Sequence, residues 1–121
     1  MQRFTDLKVW KRSHTLVLEL YKVSSKFPIE ERFGLTSQLR RAGASVPTNI
    51  AEGSKRRSNQ DYARFLNVAE GSLAETEYLM ILSRDLGYLT PEVAQKPLEE
   101  ISDIARMLNA LREKVEQAAA A

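Results

Sequence analysis

The chain predicts an all-α protein folded as an antiparallel up-down-up-down four-helix bundle, and three observations carry that prediction. Apolar residues recur three and four positions apart over four long stretches, and no stretch shows the period-two alternation of a half-buried strand. The connections between the stretches are short, which forces sequential helices to lie antiparallel. With 121 residues there is material for one core and not for two, so residues 1–121 are expected to form a single domain.

The first helix is expected from about Asp6 to Lys26. Asp6 offers a carboxylate to the unpaired N–H groups of a first turn. Leu7, Trp10, Leu16 or Val17, Leu20 and Tyr21 then supply the apolar stripe. Phe27-Pro28 ends it, because proline disfavours the α conformation in the residue before it.

A second helix runs from Leu35 to Ser54 with Pro47 inside it. That proline removes one backbone hydrogen bond and presses on the carbonyl of Gly43, at roughly 3 kcal/mol, so a kink is expected there. Leu39, Ala42, Val46 and Ile50 keep one stripe across the proline, which argues for one bent helix over two.

Ser58 followed by Asp61 reads as an N-terminal capping signal for the third helix, Asn59 to Leu86. Gly87 is the expected left-handed stop. At the standard rise these residues span about 42 Å, too long an apolar stripe to be covered without equally long partners. Gly71 and Ser72 are poor helix formers in its middle, and close helix–helix approach is the expected reason. Thr90-Pro91 opens a fourth helix to about Gln117, with Ile101, Ile104, Leu108, Leu111 and Val115 facing inward. Pro97 is expected to bend or restart it.

Composition narrows the function. Hydrophobic residues at 43% and charged residues at 28% are ordinary for a globular chain. The absence of cysteine removes disulfides, thiolate metal sites and a cysteine nucleophile, and fits a reducing compartment. No apolar run has the length of a membrane span and the N-terminus has no signal-peptide core, so a cytoplasmic protein is expected. His14 is the only histidine, which rules out histidine metal clusters and a Ser-His-Asp triad within one chain. Gly53-Ser54-Lys55 lacks the spacing of a phosphate loop. No catalytic residue, metal or cofactor is therefore expected. The weak enzymatic competitor is a Mg²⁺-dependent nuclease using Glu70 or Glu75, with Glu77 nearby.

The net charge is only +2, so the placement of charge carries the argument. Between Gln38 and Arg64 six basic residues face two acidic ones. Arg40, Arg41, Lys55, Arg56 and Arg57 are the candidate nucleic-acid-binding residues, because guanidinium forks match phosphate oxygens and the last three precede a helix N-terminus. The competing reading has them solubilising a loop or paired with Glu52. Asn49, an amide in an apolar stretch beside Pro47, is expected to bond backbone groups freed by the proline.

The run from Gln38 to Gly53, QLRRAGASVPTNIAEG, closely resembles the hallmark of the four-helix-bundle proteins encoded in intervening sequences of bacterial 23S ribosomal RNA genes. Phe4 to Trp10, Phe27-Pro28 and the run from Phe65 to Glu75 extend the likeness as far as Leu89. That family is similar to the accessory variability proteins of diversity-generating retroelements. The resemblance implies a four-helix bundle that assembles as a homopentamer and has no settled activity. It also implies a basic surface that binds nucleic acid and a reverse transcriptase, formed here by Arg40, Arg41, Lys55, Arg56 and Arg57 with Asn49 and Glu52 in support.

The expected function is a non-catalytic, oligomeric RNA- or DNA-associated accessory protein. The alternative is a scaffold holding a reverse transcriptase or a ribosome-associated protein partner on the same surface. Trp10 and Tyr62 are expected to be incompletely covered in one subunit, which favours self-assembly.

Overall fold

The computed structural model describes residues 3–121 and contains four helices, α1 (Lys8–Ser24), α2 (Leu35–Ser54), α3 (Asn59–Asp85) and α4 (Pro91–Ala120). Short 3-10 turns at Phe4–Asp6 and Ile29–Glu31 precede α1 and α2. The helices pack in chain order, α1 on α2, α2 on α3 and α3 on α4, and α4 closes back on α1. No strand occurs among the described residues, and none of their helices is long and apolar enough to cross a membrane.

One continuous core fills the bundle. Leu16 and Leu20 of α1, Leu39, Val46 and Ile50 of α2, Leu66 and Met80 of α3, and Ile101, Ile104 and Leu108 of α4 are essentially fully buried. Fully burying each such side chain contributes about 1.5–3 kcal/mol, which sets the scale against which any polar contact is weighed. Ion pairs rivet the outside. Arg12 of α1 reaches Glu100 and Asp103 of α4, and Arg112 of α4 reaches Glu70 of α3 and Glu116.

Several local expectations need correction. Asp6 lies inside the first 3-10 turn, and α1 begins after Leu7 with no side-chain cap. The buried stripe of α1 is Val9, Ser13, Leu16, Leu20 and Val23, so Tyr21 falls outside it and is exposed. Pro47, by contrast, sits within a single α2, the one helix rather than two that the continuous stripe predicts. Pro97 neither ends nor restarts α4, because its ring is itself buried and its packing offsets the one lost hydrogen bond. Gly71 is not a point of helix contact, since a Cβ built there meets nothing within 4 Å. Its neighbour Ser72 does face α2, where its hydroxyl lies 2.8 Å from that of Ser45. The close approaches fall at Gly43, whose added Cβ would lie 2.5 Å from Leu20 Cδ1, and at Gly53.

The punctuation of the later helices is as expected. Ser58 Oγ accepts from Asp61 N at 3.1 Å and Thr90 Oγ1 accepts from Val93 N at 3.2 Å. Gly87 has φ +81°, with Gly87 N bonded to Arg84 O and Tyr88 N to Ser83 O at 3.0 Å each, the paired bonds of a Schellman stop. An unanticipated tie closes this end of the bundle. Glu31 accepts from Leu35 N at 3.1 Å and from the Tyr88 hydroxyl at 2.8 Å, joining the start of α2 to the α3–α4 connection. Those two bonds, the Leu35 one foremost, hold the Glu31 carboxyl below its usual range, and the hydroxyl bond to Glu31 raises the Tyr88 phenol.

Candidate nucleic-acid interface

The turn between α2 and α3 is tight because of Gly53. A Cβ there would lie 2.8 Å from Phe65 Cβ and 3.0 Å from Tyr62 Cδ1, so only a bare backbone lets the two helices meet at this point. Beyond it α2 winds down through short bonds, Lys55 N to Glu52 O at 3.2 Å and Arg56 N to Gly53 O at 3.0 Å. Four exposed residues, Lys55, Arg56, Arg57 and Ser58, then carry the chain into α3. Too few residues are available to fold the cations inward, so sequence and turn length together display them.

Arg56 and Arg64 are held in place by Phe65. Their guanidinium carbons lie 4.4 and 4.7 Å from the centroid of its half-buried ring. Asp61 lies between the two, 2.8 Å from Arg64 Nη2 and 3.9 Å from Arg56 Nε. Lys55 and Arg57 make no ion pair among the described residues. Lys55, Arg56, Arg57, Gln60, Asp61 and Arg64 line an open depression of about 810 Å³. Four cations and one acid around a concave surface leave an excess of positive charge there, and every group is wet enough to exchange partners.

Arg40 and Arg41 do not join this cluster. Fourteen residues of helix separate Arg41 from Lys55, about 21 Å along the axis. Arg40 turns back on the end of α1, donating from Nε to Ser24 Oγ at 2.8 Å and from Nη2 to Tyr21 O at 3.2 Å, with its guanidinium 4.5 Å over the Tyr21 ring. It adds a second bond to the Tyr21 carbonyl, which already accepts from Ser25 N at 3.1 Å, and is a structural residue. Arg41 is exposed and has no acidic partner among the described residues.

The two supporting residues are placed differently from expectation. Asn49 donates to Ser45 O at 2.8 Å and Ser45 Oγ at 2.9 Å, extending the Ser45–Ser72 link between α2 and α3. Ser45 O is an ordinary helical acceptor and not the carbonyl freed by Pro47, so the amide serves the α2–α3 contact. Glu52 is exposed and pairs with no arginine among the described residues. Sequence reasoning missed Arg64, Phe65 and Asp61 as parts of the site. The available signal was the spacing, since Asp61, Arg64 and Phe65 share one face of the first turns of α3.

Charge is also distributed along the bundle axis. With each helix divided at its middle, the half bearing this turn, the start of α1 and the end of α4 holds eleven basic and six acidic residues. The other half holds seven basic and ten acidic. A modest net charge thus conceals a molecule with one basic and one acidic end, the arrangement that orients a polyanion during encounter.

The same half carries the aromatic cluster of α1. Trp10 is half-buried, with the Phe4 ring edge-on at 5.3 Å and the His14 ring stacked on it at 5.3 Å and 7°. Tyr62 is half-buried beside Gly53, and burial raises its phenol. Both rings are incompletely covered in one subunit, as expected. Glu70 is committed to Arg112, and among the described residues no three metal-ligating side chains gather.

The fold has a counterpart among solved structures. A solved structure from Bacteroides thetaiotaomicron VPI-5482, described as a protein with unknown function from the S23 ribosomal protein family, is 25% identical with a TM-score of 0.77, covering 86% of this chain and 97% of its own. No curated protein matches the chain. The model of the 23S rRNA-intervening sequence proteins matches residues 5–110, which takes in all of α1, α2 and α3 and most of α4. Since that match spans the hallmark run in α2 and the basic turn that follows it, the chain belongs to the 23S rRNA-intervening sequence protein family.

Proposed function

We propose that the chain is a non-catalytic, oligomeric accessory protein that associates with RNA through the basic depression at the α2–α3 turn. The observation that carries this reading is the exposed set Lys55, Arg56, Arg57 and Arg64, concave, held partly rigid by Phe65 and opposed by the single carboxylate of Asp61. Phosphate oxygens compete well with one exposed carboxylate, and such contacts bind a backbone without reading its sequence. The resemblance to retroelement accessory proteins, which bind nucleic acid, points the same way. Arg41 and the other surface cations add a diffuse field.

Self-assembly belongs to the same reading. Leu18 and Tyr78 are about 60% exposed and Phe33 is 84% exposed, an amount of uncovered apolar surface that a second copy would hide. A ring of five, as the resemblance implies, multiplies weak basic sites through avidity. A protein partner such as a reverse transcriptase is the second reading, and the exposed Ile29 and Phe33 beside the acidic end favour a protein contact there.

The test is binding of purified protein to a labelled RNA hairpin while salt rises from about 50 to about 200 mM, where affinity is expected to fall by at least tenfold. Arg56→Ala with Arg57→Ala removes most of the binding. Absence of binding at low salt, or binding indifferent to both salt and the substitutions, refutes the proposal.

A further inference from the structure

An apolar groove lies in the basic half of the bundle, between α1 and α2, with a volume of about 390 Å³. Trp10, His14 and Val17 form one wall, Pro47 and Ala51 the other, and Glu52 stands at the rim. The Trp10 and His14 rings are parallel within 7°, and His14 is exposed, so the stack is open to solvent at its His14 end. Glu52 has no ion-pair partner among the described residues, and Lys55 follows it by one helical turn, about 5 Å along the axis.

We infer that this groove receives an unpaired nucleobase while the RNA backbone follows on to the cations of the neighbouring turn, Lys55 first, which makes the preferred ligand single-stranded RNA. The inference rests on the RNA-binding reading above and narrows it. A base has an aromatic face for the His14–Trp10 stack and a polar edge, and this groove is a mostly apolar slot with the Glu52 carboxylate at its rim and the Thr48 hydroxyl turned to Ala44 O at 2.8 Å. A base inside a duplex has both faces covered and cannot enter. The Glu52 carboxylate accepts hydrogen bonds only, so it favours bases presenting an exocyclic amino group, such as cytosine, over uracil, which has none.

Trp10 is the sole tryptophan and reports on the groove directly. The probes are a single-stranded oligo(C) 12-mer, an oligo(U) 12-mer and a 12-base-pair RNA duplex, titrated while Trp10 fluorescence and the anisotropy of a label on the RNA are both read. Oligo(C) is expected to bind and to quench Trp10 saturably, whereas the duplex binds through the cations without quenching. His14→Ala, an exposed substitution that leaves the core intact, weakens oligo(C) by about tenfold and leaves the duplex unchanged. Glu52→Gln narrows the preference for oligo(C) over oligo(U). Binding of all three probes with no quenching and no effect of His14→Ala overturns the slot while the basic interface stands. No binding of any probe overturns both. A loss of assembly mass on His14→Ala or Trp10→Phe shows the groove to be a subunit contact and also overturns the inference.

Discussion

Replacing Gly71 and Gly53 by alanine should move stability in opposite directions, although both residues lie within helices. At Gly71 the new methyl meets nothing within 4 Å and the residue is in the middle of the exposed side of α3, so only the backbone term acts. Alanine restricts the unfolded chain and favours the helix, a gain of about 1 kcal/mol. In a chain of this size that raises Tm by about 4 °C. At Gly53 the methyl lands 2.8 Å from Phe65 Cβ, an atom next to the backbone that cannot swing aside. Overpacking of this kind costs about 1–3 kcal/mol, and near the end of α2 the propensity gain is smaller, leaving a net loss on the order of 1 kcal/mol. Urea unfolding followed by circular dichroism at one fixed protomer concentration measures both, the concentration being held so that any contribution from self-assembly is the same for every variant. Loss of stability in Gly71→Ala, or a gain in Gly53→Ala, refutes the packing on which these signs depend. Gly53→Ala should also weaken RNA binding, because α3 must move away from the turn that displays Lys55 and Arg57.

Arg40→Ala removes two hydrogen bonds and the stacking on Tyr21 and should cost about 1 kcal/mol in urea unfolding, with RNA affinity nearly unchanged. Glu31→Gln should flatten the acid side of the stability profile. The folded Glu31 carboxyl lies below its ordinary 4.5, so its contribution is present above that value and is lost as pH falls through the folded one. The difference between wild type and Glu31→Gln, measured by unfolding across pH, should be constant above about 5 and shrink below it. Glu70→Ala breaks a pair whose members are each about one fifth exposed, so it should cost about 1 kcal/mol of stability. It should leave any RNA-binding curve unmoved with or without EDTA. Phe65→Leu, which keeps an apolar side chain but removes the ring under Arg56 and Arg64, should weaken RNA binding several-fold while the helix content stays the same.

The helices were legible because their signals are local and redundant. Ser58, Gly87 and Thr90-Pro91 mark ends by backbone rules that hold wherever they occur, and the stripes of α2 and α4 repeat often enough to outvote two prolines. Tyr21 was misjudged because a stripe two positions wider still looks periodic, and only the packing of α2 and α4 against α1 decides which side is covered. Asp6 was misjudged because a 3-10 turn places the capping position one residue later. The site was half legible. Lys55, Arg56 and Arg57 lie consecutively in a turn, and exposure follows from that. Arg40 and Arg41 were grouped with them by sequence distance, but a helix between two such groups holds them about 21 Å apart. Arg64 and Phe65 belong to the site only because α3 turns back beside the loop, a relation of three dimensions that composition does not carry. Gly71 shows the same limit from the other side, since a mid-helix glycine signals close approach only if something approaches.

The central claim is that the α2–α3 turn, and not the adjacent arginines of early α2, contacts RNA phosphate. The most direct measurement is the slope of log binding constant against log salt for single-stranded RNA, compared between wild type, Lys55→Ala with Arg57→Ala, and Arg40→Ala. Loss of two phosphate contacts should make the first variant's slope shallower by about 1.5, with Arg40→Ala matching wild type. A slope unchanged in the first variant, or reduced equally in both, contradicts the claim.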